Sequence, residues 1–340
     1  MKDLNEIIRA PYWYAWSEPE NNDIVFGAAT KAVEGLHPGG FAISPFNGKK
    51  TDTLTLVPQK EIIVNSSAIM THPEEIGRGE KVPAAQENEE APEWYREAIS
   101  RIKDELKKRG GGKIVLSRTL EHRFDIGIAE RILQLRKRYP DAFIFAFATP
   151  ETGLWYGASP EILLYADGSE FHTVALAGTR LRGSAGEWDE KNREEQRMVT
   201  DFILDSFRKE NMTPKEERSE TKPAGPVEHI MTRISAPIPA EVKLEDFLEN
   251  LSPTPALCGS DRELSLRILE EIEEVPRKMY GGWCGPFFDN MNFLFHVNLR
   301  SAEILSDGRH ILHIGGGITL LSDADAEWDE TRRKASTLIW

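Results

Sequence analysis

The chain reads as an α/β protein of the α+β type, with antiparallel sheets flanked by helices. Three observations predict this class. Apolar strand-like segments are joined by turn chemistry such as "PETG" and "DGS", connections too short for the crossovers that parallel strands need. Helical periodicity is confined to a few long segments that alternate with hairpin meanders. The glycine clusters also lack nucleotide-loop grammar: "GGGK" follows a helical segment and precedes a strand, and "HIGGGIT" has neither GxGxxG spacing nor a following helix.

Taken in order, "DIVFGAAT", "GGFAISPF", "TLTLVP" and "EIIVN" read as strands with turns. Residues 66–91 are polar, charged and proline-containing, which predicts an exposed or mobile connection. A helix is expected over 93–109, where Trp94, Tyr95, Ala98, Ile99, Ile102 and Leu106 recur at helical spacing after Pro92. Gly110, Gly111 and Gly112 supply the stop. "KIVLS" then predicts a short strand with Lys113, Val115 and Ser117 on one face. "DAFIFAFAT", "LWYGAS", "EILLYA" and "FHTVALAG" form a meander, and 187–209 a long helix with Met198, Val199, Phe202 and Ile203 on one side. The meander returns in "GGWCGPFF", "MNFLFHVNL", "AEILS" and "HILHIGG", and a helix closes the chain over 325–339.

Composition narrows the function. At 340 residues, with 40% hydrophobic and 29% charged residues, the chain has the make-up of a soluble globular protein with a large core. Its net charge of −14 argues against nucleic acid or an anionic membrane as partner, and an anionic small substrate would need a local cationic pocket or a metal. Cys258 and Cys284 form no CxxC and read as buried free thiols. The first residues lack the apolar run of a signal peptide, and no apolar stretch reaches bilayer length, so a cytoplasmic protein is expected. A monomer is the expected state.

Several polar residues stand where chemistry is possible, each with an ordinary structural alternative. Lys113 is otherwise a strand-edge lysine. Glu161 follows Pro160, which fixes the approach of the chain, and is otherwise an exposed strand-end carboxylate. Glu194 and Glu195 lie one turn before Val199, where a partly desolvated carboxylate wants a cation; periodicity does not choose between them. Glu330 and Lys334 are spaced as a surface ion pair, with Glu327 one turn earlier. "ALAGTRLRG" joins small residues, which let a ligand approach the backbone, to Arg180 and Arg182. His229, Thr254, Tyr280 and Arg300 are single polar residues in apolar surroundings.

The combination and order of these residues resemble the chorismate-utilising enzymes, the family of isochorismate, salicylate, anthranilate and aminodeoxychorismate synthases. "KIVLSR", "GASPEILL", "ALAGTRLRG", "EKNREEQRMV", "HIMTRI", "SPTPALCG", "YGGWCG", "NLRSAEI", "GGGIT" and "EWDETRRK" carry the resemblance from about residue 110 onwards. It implies one chorismate-binding domain over 1–340: a variable N-terminal part (1–91) and a catalytic core (92–340). It implies two large antiparallel sheets covered by outer helices, with the active site between them. Glu195 and Glu330 would be magnesium ligands. The family pattern K-D-R-x-E-H reads Lys191-Asn192-Arg193-Glu194-Glu195-Gln196 here, with the aspartate and histidine replaced. Tyr280 and Arg300 would grip the enolpyruvyl carboxylate. Lys334, Thr179 and the backbone around Gly178, Gly315 and Gly317 would contact the ring and carboxylates, with Ala177, His229 and Thr254 lining the pocket.

By the same resemblance, a lysine at 113 with alanine at 177 marks the water-using branch. The implied reaction converts chorismate to isochorismate: water attacks C2, the ring double bonds shift and the C4 hydroxyl leaves. Lys113 would be the base and Glu161 the acid, which requires lowering a lysine pKa that is about 10.4 in water. Salicylate synthase, which goes on to eliminate pyruvate, is the alternative. A silent chorismate-binding homologue is a further one, although binding alone needs no acid-base pair.

Overall fold

A computed structural model of the chain describes residues 2–66, 90–224 and 227–339, with the side chains at 223, 224 and 227 excepted. Most of the connection expected over 66–91 therefore lies outside the described residues. All strand pairs are antiparallel, in two sheets. The first sheet runs β6 (Lys60–Asn65), β2 (Asp23–Ala29), β1 (Tyr12–Ser17), β8 (Phe143–Thr149), β9 (Gly153–Ser159), β17 (Ser301–Ile304), β18 (Arg309–Ile318), β7 (Ile114–Arg123). The second runs β12 (Lys215–Glu216), β14 (Val227–Pro237), β11 (Glu170–Leu181), β10 (Ile162–Asp167), β16 (Asn292–Val297), β15 (Trp283–Asp289), β4 (Gly40–Ser44), β5 (Leu54–Leu56), β3 (Val33–Glu34), with β13 (Glu220–Ala224) paired to β14.

Strand β8 shows why the sheets stack. Phe143, Phe145 and Phe147 point into the layer between the sheets, beside Phe41, Ile43 and Cys284 of the second sheet. Ile144 and Ala146 point the other way, into a core shared with helices α1 (Lys2–Ile7) and α3 (Ile128–Arg138). A strand buried on both faces needs apolar residues at every position, which "FIFAFA" supplies. Each fully buried phenylalanine contributes about 1.5–3 kcal/mol. On the outer face of the second sheet lie α4 (Glu190–Lys209) and α5 (Leu244–Leu251). Helices α2 (Glu93–Lys108), α6 (Arg262–Ile272) and α7 (Ala324–Ala335) cover β7 and β18.

Several sequence expectations are corrected in detail. "YWYAWS" is a sheet strand that its position among charged neighbours concealed. The "KIVLS" strand begins at Ile114, one residue after Lys113, and continues to Arg123. The buried stripe of α4 is Val199, Ile203, Leu204 and Phe207, so Met198 and Phe202 stand at its margins. Both cysteines are buried free thiols, and burial pushes Cys258 up to about 11.

Two connections matter for the site, because there the chain leaves one sheet for the other. Ser159-Pro160-Glu161 joins β9 to β10, and Asn298-Leu299-Arg300 joins β16 to β17. The crossings are bonded to one another: Val297 N–H donates to the Glu161 carbonyl (3.0 Å) and Ala158 N–H to the Arg300 carbonyl (3.1 Å).

Candidate active site

Lys113 is delivered by the three glycines, all with positive φ (79°, 136° and 110°). They end α2, with Gly111 N–H donating to the Leu106 carbonyl (2.9 Å), and turn the chain into β7. Segment 252–260 braces this turn: Ser260 Oγ accepts from Lys113 N–H (2.9 Å), and Ser260 N–H donates to the Lys113 carbonyl (2.9 Å). Arg277 adds a buried brace, pairing with Glu273 and donating to the Val115 and Leu257 carbonyls.

Strand β18 supplies the floor. A Cβ at Gly317 would lie 2.3 Å from Lys113 Cε, and one at Gly315 would lie 2.9 Å from the Tyr280 hydroxyl. These glycines therefore make room for two site side chains. Two residues along the same face, His313 stacks under the Tyr280 ring (centroids 5.4 Å apart, 22° between planes). Burial pushes the Tyr280 hydroxyl up to about 12, so it stays a donor at neutral pH.

Glu161 sits half-buried at the first crossing. Burial pushes its carboxyl up to about 7 against the opposing pull of Lys113 and Arg300, which places all three within electrostatic reach. Arg300 sits at the second crossing, and its Nη1 donates to Thr337 Oγ1 (2.7 Å).

The helices bring the other carboxylates. On α4, Glu195 Oε2 lies 3.7 Å from Lys113 Nζ, and Oε1 lies 4.0 Å from Lys191 Nζ. Glu194 is exposed, at the rim of a cleft of about 170 Å³ that Gly111, Lys113, Glu195 and Leu321 also line. On α7, Glu330 pairs with Lys334 (2.7 Å), and that lysine holds its carboxyl below the usual range. Lys334 Nζ also donates to the Gly315 carbonyl (3.0 Å). Glu327 is buried one turn earlier; burial and the nearby Glu330 push it up. Among the described residues no group of three or more His, Cys, Asp or Glu side chains is arranged to hold a metal ion. The site offers separate carboxylates from two helices.

The "ALAGT" turn is a bulge at Gly178. His229 Nδ1 lies 3.0 Å from the Gly178 carbonyl and 3.1 Å from Thr179 Oγ1. Burial lowers this histidine's pKa, and the carbonyl contact calls for the proton on Nδ1, leaving Nε2 as the acceptor. Ala177 is buried in the core under α4. Thr254 Oγ1 is buried without a hydrogen-bond partner among the described residues. Arg180 is drawn elsewhere: it pairs with Glu228 (2.6 Å) and lies over the Trp188 ring (4.1 Å).

Two residues escaped the sequence reading. Asn192 Oδ1 accepts from Thr179 N–H (2.8 Å), and Gln196 Oε1 accepts from Ala177 N–H (2.8 Å) while its Nε2 donates to the Ala175 carbonyl (3.0 Å). They occupy the two positions where the family pattern is broken, and both fasten α4 to the bulge. Their departure from the pattern was the available signal.

Two antiparallel sheets with outer helices bring Glu161, Lys113, Tyr280 and Arg300 into one region of the molecule. The chain belongs to the chorismate binding enzyme family, which matches residues 18–339. Among individual proteins it is similar to isochorismate synthase MenF of Bacillus subtilis (strain 168), 31% identical over 278 residues that make up 76% of this chain and 57% of that protein. Anthranilate synthase component 1 of Cereibacter sphaeroides is 28% identical over 259 residues, 72% of this chain and 51% of that one. The chain thus spans little more than half the length of these curated relatives. The solved structure of MenF, the menaquinone-specific isochorismate synthase from Escherichia coli, shares the fold. Its TM-score is 0.81 at 21% identity, covering 99% of this chain and 91% of that one. Among the described residues no helix is long and apolar enough to cross a membrane.

Proposed function

We propose that this chain is an isochorismate synthase, converting chorismate to isochorismate in a magnesium-dependent reaction. The observation that carries the reading is the placement of Glu161 at a sheet crossing within electrostatic reach of Lys113 and Arg300, where burial pushes its carboxyl up to about 7. A general acid works best with a pKa near the working pH, and an ordinary surface glutamate is almost wholly ionised there.

Water is a weak nucleophile and hydroxide a poor leaving group, so the exchange needs a base on one side and an acid on the other. In its neutral amine form, Lys113 Nζ takes a proton from the water that bonds to C2. The electron pairs of the ring shift, the C4–O bond breaks, and Glu161 protonates the departing hydroxyl, which leaves as water. One water enters and one departs. Proton return from Lys113 to Glu161 through solvent resets the pair. Arg300 and Tyr280 hold the enolpyruvyl carboxylate with charge-assisted hydrogen bonds. The buried Ala177 backbone and the Gly178 bulge, fastened by Gln196 and Asn192, shape the wall beside the ring.

Glu195 and Glu330 would hold the magnesium. Two carboxylates with the remaining positions left to water and substrate oxygens suit this hard cation, and lysines now balance both carboxylates. When bound, it supplies positive charge to the ring carboxylate of a dianionic substrate inside an acidic protein.

Chromatography after incubation with chorismate, magnesium and ammonium tests the reading. Isochorismate should accumulate, with pyruvate appearing no faster than by spontaneous breakdown. Salicylate and pyruvate rising together from the start would assign a salicylate synthase, and anthranilate or an aminated intermediate would overturn the role of Lys113. No turnover at all would leave a chorismate-binding homologue.

A further inference from the structure

The substrate-gripping role given to Arg300 above implies that something must aim its guanidinium. Arg300 has φ of 48°, in the left-handed region that non-glycine residues rarely adopt. Such a conformation persists where its surroundings over-determine it, and it is often found where function needs a side chain held in place. Two contacts fix it here. Ala158 N–H holds the Arg300 carbonyl (3.1 Å), and Thr337 Oγ1 accepts from Nη1 (2.7 Å).

Thr337 is itself anchored. It follows α7 in a turn where its N–H donates to the Lys334 carbonyl (3.2 Å) and Leu338 N–H to the Ala335 carbonyl (3.0 Å). The Tyr139 hydroxyl donates to the Thr337 carbonyl (2.8 Å), and Arg131 donates to the Leu338 carbonyl from the neighbouring helix α3. The Leu338 side chain is buried in the core shared with α3. The acceptor that meets Arg300 is therefore part of a rigid platform.

We propose that Thr337 is a positioning residue that fixes the plane of the Arg300 guanidinium and so sets affinity for a carboxylate-bearing substrate. A guanidinium presents its N–H donors in one rigid plane, so holding one edge orients the others for two-pronged contact with a carboxylate. Without that hold, binding must order a long side chain first, which weakens affinity. Glu330, Lys334 and Thr337 follow each other at spacings of four and three residues, along one face of α7 and its C-terminal turn. One short segment thus supplies a carboxylate, an ammonium and the anchor for an arginine.

The test is steady-state kinetics on Thr337→Val, which keeps the branched shape and removes the acceptor, and on Thr337→Ser, which keeps the hydroxyl. Thr337→Val should raise KM for chorismate about tenfold or more with kcat within about threefold, the pattern of lost uniform binding. Thr337→Ser should restore KM, and in an Arg300→Lys background Thr337→Val should add no further loss. A wild-type KM in Thr337→Val overturns the proposal. So does a joint fall of kcat and Tm that Thr337→Ser does not recover, since that is the pattern of a packing defect. Absence of turnover in the unaltered chain would overturn the reading of the site and this proposal with it, a failure seen in a different sample.

Discussion

The strand crossovers and the helix faces each bring a glutamate to the site, and their surroundings push the two carboxyls in opposite directions. Glu161, set where the chain passes between sheets, is raised to about 7 by burial, and the two cations in reach only partly oppose this. Glu330, on α7, is lowered by Lys334 at 2.7 Å, with burial as the weaker opposing influence. One environment favours the protonated carboxyl and the other the carboxylate. The difference arises from where the backbone goes: a crossing removes water around the side chain, whereas a helix face brings a lysine one turn away.

The comparison breaks most completely if the anion side is neutralised. Glu195→Gln should abolish turnover at ordinary magnesium concentrations, since the proposed magnesium ligand is lost, while the exposed Glu194→Gln should stay active. The reverse result in an activity assay would exchange the two glutamates' roles.

On the proton side, Lys113→Gln and Glu161→Gln should each lower kcat at least about a hundredfold, the scale of lost general acid-base catalysis. Circular dichroism should show both variants folded. In the unaltered enzyme the pH profile of kcat/KM should show an inflection near about 7, where Glu161 titrates, and Glu161→Gln should remove it. A profile with no inflection near that value would remove Glu161 from the acid role.

A smaller effect is expected at the floor. A methyl group in Gly317→Ala would meet Lys113 Cε at 2.3 Å and displace a flexible side chain, so kcat should fall about tenfold, on the scale of a misplaced catalytic group. Thermal unfolding should show little change, because the clash is with the end of a side chain.

The smallest effect is on stability. A carboxyl whose folded pKa is raised contributes stability that is present at low pH and lost as pH rises through the folded value. Glu161→Gln, which mimics the protonated form, should therefore stabilise the fold at about pH 8 by about 1–3 kcal/mol and have no effect near about pH 4. Denaturant unfolding at the two pH values reads this directly, and equal stability of variant and parent at both would place Glu161 in solvent.

Much of this architecture is legible from local signals. Turn chemistry and strand alternation mark the meanders, and the glycines before Lys113 mark the helix stop, because these depend on neighbouring residues. The roles of Gln196 and Thr337 are not legible in that way. Gln196 bonds the backbone at Ala175 and Ala177 on another element, and Thr337 meets Arg300 only after two sheets and two helices have packed. Helix α3, whose Arg131 pins the residue after Thr337, has no side chain in the chemistry and gave no motif to notice. Glu161 and Arg300 stand out in the sequence as single residues, but the crossing that joins them is set by pairing between distant strands.

The most direct test of the account follows the oxygen atoms. Lys113 is assigned to the incoming water and Glu161 to the departing hydroxyl, so isochorismate formed in water carrying the heavy oxygen isotope should gain one heavy oxygen, at C2, in each turnover. Isochorismate formed in that water without the label would mean that the hydroxyl migrates within the substrate, and would contradict the division of labour between the two sides of the site.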